Sequence, residues 1–302
     1  MDLDTKWLQD FIALSDLKNF SRAAELRHIT QPAFGRHIKS LEEAVGQKLV
    51  DRETHPISLT PAGKQFRITA RHLIQQLDHG INQLQGINQP VFNPLRISTP
   101  HSLASPTLMN LMEQGFLPKE LAYSVDVLRV DFATESLVEG QCDVLFAFDI
   151  LSLLQPPFQN ICIGKGEFIL VSGVNEQGEV IYTPDTKVAI PYLRYSAESY
   201  TARLIESHIG SELGFASQPC FESSMCQLHK DMAIRGKGVA WLPDCLIAAE
   251  LANGQLIALD RQRWSVPYQM RLYRHQAALS QVGESFWQAL HKQVEAGWTL
   301  PR

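Results

Sequence analysis

The chain has 302 residues, 45% hydrophobic and 20% charged; this is a soluble globular composition, too long for one ordinary core, so two or three domains are expected. No run of 18 apolar residues occurs, so no transmembrane helix is expected, and the acidic start Met1-Asp2-Leu3-Asp4 argues against a signal peptide; a cytoplasmic location is the simplest expectation. The net charge of −5 is unevenly divided: residues 1–90 hold 11 Lys and Arg against 10 Asp and Glu, while residues 91–302 hold 16 against 22.

In chain order, residues 5–17 read as a helix with Trp7, Phe11 and Leu14 at core-facing spacing. Asn19-Phe20-Ser21 breaks the pattern and caps a short second helix through Arg22-Ala23-Ala24-Glu25-Leu26. Thr30 can cap a third helix, with Pro32 in its first turn, Ile38, Leu41 and Val45 as its buried stripe, and Gly46 at its end. Two short strands, 49–52 and 57–59, would form a hairpin. Thr60-Pro61 opens a long helix whose apolar positions Phe66, Ala70, Leu73, Leu77, Ile81 and Leu84 step by four and three, a seam for a partner helix. About 25 residues would give a rod of roughly 37 Å. Gly86, Pro90 and Pro94 mark a linker. From residue 95 short apolar strands, at 95–98, 125–130, 144–148, 168–171, 188–192, 239–242, 256–259 and 270–273, alternate with helical stretches, which implies a mainly parallel sheet with crossover helices.

The first three helices have the ingredients of a helix-turn-helix. Ala23 and Ala24 allow the helices to touch, and Thr30, Gln31, Arg36 and Lys39 put groove- and phosphate-binding groups on the first turns of the third helix. Between Lys18 and Lys39 there are five basic residues (Lys18, Arg22, Arg27, Arg36, Lys39) against one acidic, Glu25, so positive charge is concentrated there. On these residues alone a solvated amphipathic helix with no DNA partner remains open.

Phe20-Ser21-Arg22-Ala23-Ala24-Glu25-Leu26, Thr30-Gln31-Pro32-Ala33, Ile38, Leu41-Glu42, Leu49-Val50-Asp51-Arg52 and Leu59-Thr60-Pro61-Ala62-Gly63 together resemble the N-terminal signature of LysR-type transcriptional regulators, over about sixty residues. The resemblance implies an α/β architecture in three parts. A winged helix-turn-helix (1–60) is followed by a linker and dimerisation helix (61–90), with Leu73, Leu77, Ile81 and Leu84 facing a second copy. A periplasmic-binding-protein-like effector domain (91–302) follows, with lobe I at about 91–163 and 267–302 and lobe II at about 164–266. It implies a homotetramer on double-stranded promoter DNA, answering to a small-molecule effector, with RNA polymerase a candidate partner. Gln31, Pro32 and Arg36 match groove-contacting positions and Arg52 the wing arginine near phosphate; Arg22 and Lys39 add charge. Gly35 departs from the family's serine.

Two later segments also resemble the family: Leu137-Val138-Glu139-Gly140-Gln141-Cys142-Asp143, and Gly236-Lys237-Gly238-Val239-Ala240-Trp241-Leu242-Pro243. The ligand of such a domain lies between the lobes, near helix N-termini that favour an anion. The resemblance implies contacts at Ser102, Phe146, Tyr195 and Ser196; Thr99, Phe148, Arg194 and Tyr200 stand beside them at the same strand ends and are further candidates, while ordinary helix capping by the serines and a surface role for Arg194 remain open. A small carboxylate, such as a dicarboxylate or an acidic amino acid, is the expected effector. A narrower similarity, in Thr5-Lys6-Trp7-Leu8, Ser223-Ser224-Met225 and 239–243, is to the subgroup with hypochlorite-responsive regulators, which sense by methionine oxidation. Met225 matches a methionine there, whereas Thr201 replaces one. The alternative is therefore an oxidant sensor using Met225 and Met232 or the Cys220/Cys226 pair.

No enzyme is expected. The chain has no GxxxxGK, GxSxG, HExxH or GxGxxG, and its five cysteines (Cys142, Cys162, Cys220, Cys226, Cys245) form neither a CxxC zinc pair nor a disulfide framework. No cofactor or metal is expected.

Overall fold

A computed structural model describes residues 3–84, 94–119, 121–184, 188–210 and 213–301. The linker positions Gly86 and Pro90, and the boundary expected at 90–91, lie outside the described residues. Helix α1 (Thr5–Leu17) starts where the Asp4 side chain accepts from the Lys6 amide. Helix α2 (Phe20–Leu26) starts where Asn19 accepts from the Arg22 amide. Helix α3 (Gln31–Val45) follows Thr30, which stands at the cap position without a side-chain capping bond, and ends at Gly46, φ 72°. Phe11, Leu14, Ala23, Ala24, Phe34, Ile38 and Leu41 are buried together where the three helices meet.

The hairpin is β1 (Val50–Asp51) with β2 (Ser58–Leu59), antiparallel. Glu42 of α3 holds its base: the buried carboxylate Oε1 accepts from the amides of Leu49 at 2.9 Å and Val50 at 3.1 Å. Helix α4 (Pro61–Leu84) leaves the hairpin so closely that a Cβ on Gly63 would stand 2.0 Å from the Leu49 carbonyl oxygen. The apolar seam of α4 divides. Phe66 packs on Phe11, ring centroids 5.7 Å apart, and Ala70 is buried in the same core. Leu73, Leu77 and Ile81 remain 40%, 45% and 49% exposed, so only the second half is free for another chain.

The C-terminal part runs β3 (Leu95–Pro100), α5 (His101–Leu103), α6 (Met109–Met112), β4 (Tyr123–Leu128), α7 (Val130–Val138), β5 (Val144–Ala147), β6 (Phe158–Gly173), β7 (Ile190–Tyr195), α8 (Tyr200–Ile209), β8 (Ser217–Ser223), α9 (Cys226–Ile234), β9 (Ala240–Pro243), α10 (Asp244–Ala252), β10 (Leu256–Ala258), β11 (Ser265–His275) and α11 (Gln281–Glu295). Strands β4, β3 and β5 are parallel neighbours in lobe I, and β7 and β8 are parallel in lobe II. The expectation of a mainly parallel sheet is corrected by β6, β9, β10 and β11, whose pairings with one another and with β5 are antiparallel. The reason is topological: β6 carries the chain from lobe I to lobe II and β11 carries it back, so the two must run in opposite directions. Among the described residues no helix is long and apolar enough to cross a membrane.

Helix α9 covers β7 and β8 with Ala233 and His229, both fully buried. The His229 ring lies edge-on to Tyr195 and Phe221, centroids 4.3 and 5.6 Å away, and neither ring nitrogen has a hydrogen-bond partner. Burial with no compensating acceptor lowers its pKa to about 4.

Two outcomes follow from this packing. Glu42→Ala leaves two buried amides without an acceptor and should cost about 2–4 kcal/mol in denaturant unfolding of the N-terminal part, whereas Glu42→Gln, which keeps an acceptor, should cost less than half of that. His229 binds a proton in the unfolded chain below its ordinary pKa near 6.5 but not in the folded one until about pH 4. Stability must therefore fall as pH drops through that window, by up to about 3 kcal/mol, and flatten below it. His229→Leu should remove this slope in thermal melts taken from pH 7 to 4; an unchanged slope would contradict the assignment.

Candidate functional site

The residues expected to meet DNA, on and around α3, are sorted by what their charges already touch. Arg22, Thr30, Gln31, Pro32, Arg36, Lys39 and Arg52 are exposed and Gly35 is half-buried. Among the described residues the side chains of Arg22 and Arg36 make no hydrogen bond or ion pair, so both are free for phosphate or base edges. Lys39 makes an exposed pair with Glu43 at 3.7 Å, a contact worth little in water. Arg52 lies 3.4 Å from the Glu42 carboxylate and over the Phe20 ring, 5.5 Å from its centroid, which fixes it beside the hairpin. Two other basic groups of the stretch are committed inward: Arg27 and His37 both bind the buried Asp10 carboxylate, at 2.6 and 2.7 Å. A Cβ on Gly35 would meet nothing within 4 Å, so packing within the chain does not demand glycine there.

The second constellation is the gap between the lobes, which holds a cavity of only about 20 Å³, room for about one water. Lobe I contributes Ser102 of α5, Arg129, and Val130, the first residue of α7; lobe II contributes Ser199, Tyr200 and Thr201 at the start of α8, with Ser224 and Cys226 at the start of α9. Three helices of nine or ten residues thus begin at the cavity, and their first-turn amides lack intrahelical partners. The Ser199 hydroxyl takes one of them, accepting from Ala202. Arg129 is the cation of the gap: its guanidinium lies over Phe132 at 4.7 Å, and its buried Nε has no hydrogen-bond partner and stands 3.5 Å from the Asp131 carboxylate. The lobes are bridged by Arg203 of α8, which donates to Asp131 at 2.8 Å, and by the Tyr200 hydroxyl, which donates to the Asp149 carbonyl at 2.8 Å.

The residues expected around an effector separate into groups. Ser102 and Tyr200 line the gap, whereas Thr99, which precedes the lining residue Pro100, is buried outside the lining with its hydroxyl unpartnered. Phe148 stacks behind Tyr200, centroids 5.9 Å apart, and Phe146 is wholly in the core. The Tyr195 hydroxyl donates to the Trp241 carbonyl at 2.7 Å and approaches the Cys226 sulfur at 3.2 Å. Ser196 is tied into lobe II by its amide, which donates to the Ser223 carbonyl. Arg194 is half-exposed, bonded to Glu222, and lines with Tyr192 and Tyr195 a different cavity of about 790 Å³ within lobe II.

Arg129 is the residue that sequence reasoning missed. Reading a strand through residue 130 hid it; ending the strand at Leu128 would have put it before a helix, as Ser199 is before α8.

The sulfur groups also separate. Cys220 points its thiol at the Tyr192 and Lys237 carbonyls, while Cys226 is met by Tyr195, so the two sulfurs do not face one another. Burial pushes the Cys226 thiol up to about 11, which disfavours the reactive thiolate. Met225 is half-buried between the cavity-lining Ser224 and Cys226. Among the described residues no group of His, Cys, Asp and Glu could hold a metal ion.

Comparison with known proteins places both halves. Residues 5–64 match the profile of the bacterial regulatory helix-turn-helix proteins of the lysR family, and residues 88–295 match the LysR substrate binding domain. DarR of Vibrio fischeri, solved in complex with DNA, is 42% identical over 96% of this chain and 99% of its own, with a TM-score of 0.60. Full-length HypT of Salmonella typhimurium, a hypochlorite-specific LysR-type regulator, is 37% identical over 98% of this chain and 100% of its own, TM-score 0.64. The bromide-bound regulatory domain of HypT is 33% identical over 69% of this chain and 98% of its own, TM-score 0.61.

Proposed function

The chain belongs to the lysR family of bacterial helix-turn-helix regulators, and from that premise we propose that this DNA-binding transcriptional regulator answers to a small anion, in the first place a carboxylate, held between its lobes. The observation that carries this reading is the meeting of three helix starts with Arg129 at one gap. Unpartnered amides and a cation without a full hydrogen-bond set favour negative charge there, and a carboxylate can take two donors from a guanidinium. Arg194, bound to Glu222 on another face, is replaced in this role by Arg129. A cavity of about 20 Å³ admits a monatomic anion as it stands, whereas a dicarboxylate or an acidic amino acid enters with the lobes apart. The bromide held by the HypT regulatory domain is an anion in a related domain and agrees in sign.

On the DNA side, α3 enters the major groove with Gln31 and Arg36 toward base edges, while Arg22, Lys39 and Arg52 meet phosphate. Leu73, Leu77, Ile81 and Leu84 pair with the same helix of a second copy, and two such pairs make the tetramer, acting on promoter DNA in the cytoplasm. The second reading is an oxidant sensor using Met225, favoured by the place of that residue at the gap.

Arg36→Ala should weaken operator binding by about 1–3 kcal/mol and relax preference at one base position, read by titration against operator variants; affinity equal to wild type would sink the assignment. In calorimetry against a panel of small mono- and dicarboxylates, at least one should bind, and Arg129→Ala should weaken it by about 1–3 kcal/mol. If none binds, and mild oxidation alone changes operator occupancy until Met225 is replaced by Leu, the oxidant reading takes its place.

A further inference from the structure

Helix α7 joins two places that the effector reading leaves unconnected. It has nine residues, so its ends stand about 13 Å apart. Its first turn belongs to the gap: Arg129 precedes it, Val130 lines the cavity, and Asp131 accepts from Arg203 of the opposite lobe. Its far end belongs to the DNA-binding half. Glu139, the residue that closes α7, is buried; its carboxylate lies 2.7 Å from Lys64 of α4 and 3.9 Å from Lys18, beyond the end of α1, and its carbonyl accepts from Arg67 of α4. Arg67 is 1% exposed and is bound as well by Asp16 of α1, which Arg71 also holds at 2.6 Å. Gly140 follows at φ 67°, and a Cβ there would stand 2.9 Å from the Ile68 side chain, so lobe I and α4 are in direct contact.

We propose that α7 transmits the state of the interlobe gap to the DNA-binding half, and that Glu139 is the positioning residue that fastens it to the linker helix. The proposal rests on the effector reading for the origin of the signal but not for the mechanical link. Stripping a partner from a buried charge such as Arg67 is strongly unfavourable, so α1, α4 and lobe I hold together as one body. His72 adds to that body, with Nδ1 3.0 Å from the Ala278 carbonyl and Nε2 3.5 Å from Asp143. The free joint is at the opposite end, where Asp131 meets Arg203. Parting the lobes breaks that bond; an anion closing them adds contacts to Arg129. Either change acts on the first turn of α7 and arrives at Lys64 and Lys18 through Glu139.

The test needs no effector. Asp131→Ala removes the acceptor of Arg203 and so releases lobe II from α7, and amide hydrogen exchange of residues 64–72 is read by mass spectrometry on the full chain. The release should change exchange in that segment by about fivefold or more in the wild-type background and by less than about twofold in Glu139→Gln. Glu139→Asp, which keeps the charge on a shorter arm, should restore the response. Should Glu139→Gln lower the yield of folded protein, Lys64→Met, which removes the shortest ion pair and leaves Glu139 in place, gives the same reading. No response in the wild-type background, or an equal response in both, overturns the proposal. Carboxylate calorimetry is scored apart: transmission with no carboxylate bound removes the effector reading and keeps the link, and a bound carboxylate without transmission does the reverse.

Discussion

The pairing of β6 with β11 is the constraint on which the C-terminal part depends. All eleven residues of β11 pair with β6, and both strands pass between the lobes. Their ladder is interrupted at Met270/Arg271, opposite Cys162 and Gly164. Two strands hydrogen-bonded to each other can bend there without losing the lobes' relative order. The parallel strands β3, β4, β7 and β8 then end toward the same gap, and each passes within a few residues to a helix beginning there. A ligand cleft at the carboxyl ends of parallel strands is the general consequence of that arrangement.

Charge is distributed by the same economy of partners. Asp10 absorbs Arg27 and His37 inside the N-terminal bundle, and Asp16 absorbs Arg67 and Arg71 where that bundle meets lobe I. Asp143 is buried, which alone would raise its pKa, but hydrogen bonds from His72 and Arg96 outweigh burial and hold the carboxyl well below its usual range. Arg22 on α2 and Arg36 on α3 are among the described cations left without a partner, as are Lys6, Lys165, Arg235 and Lys237 elsewhere, and Arg129 between the lobes is incompletely satisfied. In the proposed reading, DNA would partner Arg22 and Arg36, and a small anion Arg129.

The N-terminal half was legible because its signals are local. A polar cap, Ala23-Ala24, Pro32 in a first turn and Gly46 at a helix end act within a few residues, and the helices fall where those residues put them. The C-terminal half was legible as alternating strands and helices, but not as a mixed sheet. The sixteen residues of β6 include Lys165 and Glu167, which interrupt the apolar run, so only 168–171 stood out as a strand. Strand β8 was missed because Gln218, Pro219 and Glu222 give it no apolar alternation; its pairing with β7 and the cover of α9 make it a strand.

The sequence by itself determined the family, through the resemblance of its N-terminal motifs, and also the three N-terminal helices, the hairpin and α4, because caps, turns and spacing along one helix face settle these elements without long-range contacts. Only the tertiary structure decided which cations remain available, since a partner such as Asp10, Glu42 or Glu222 lies far away in sequence or on another strand. For the same reason it alone turned Arg194 away from the gap and placed Arg129 in it. It also gave Glu139 a buried seat against α4, because helix packing brings Lys64 to its carboxylate and Arg67 to its carbonyl, although both lie more than seventy residues earlier in the chain.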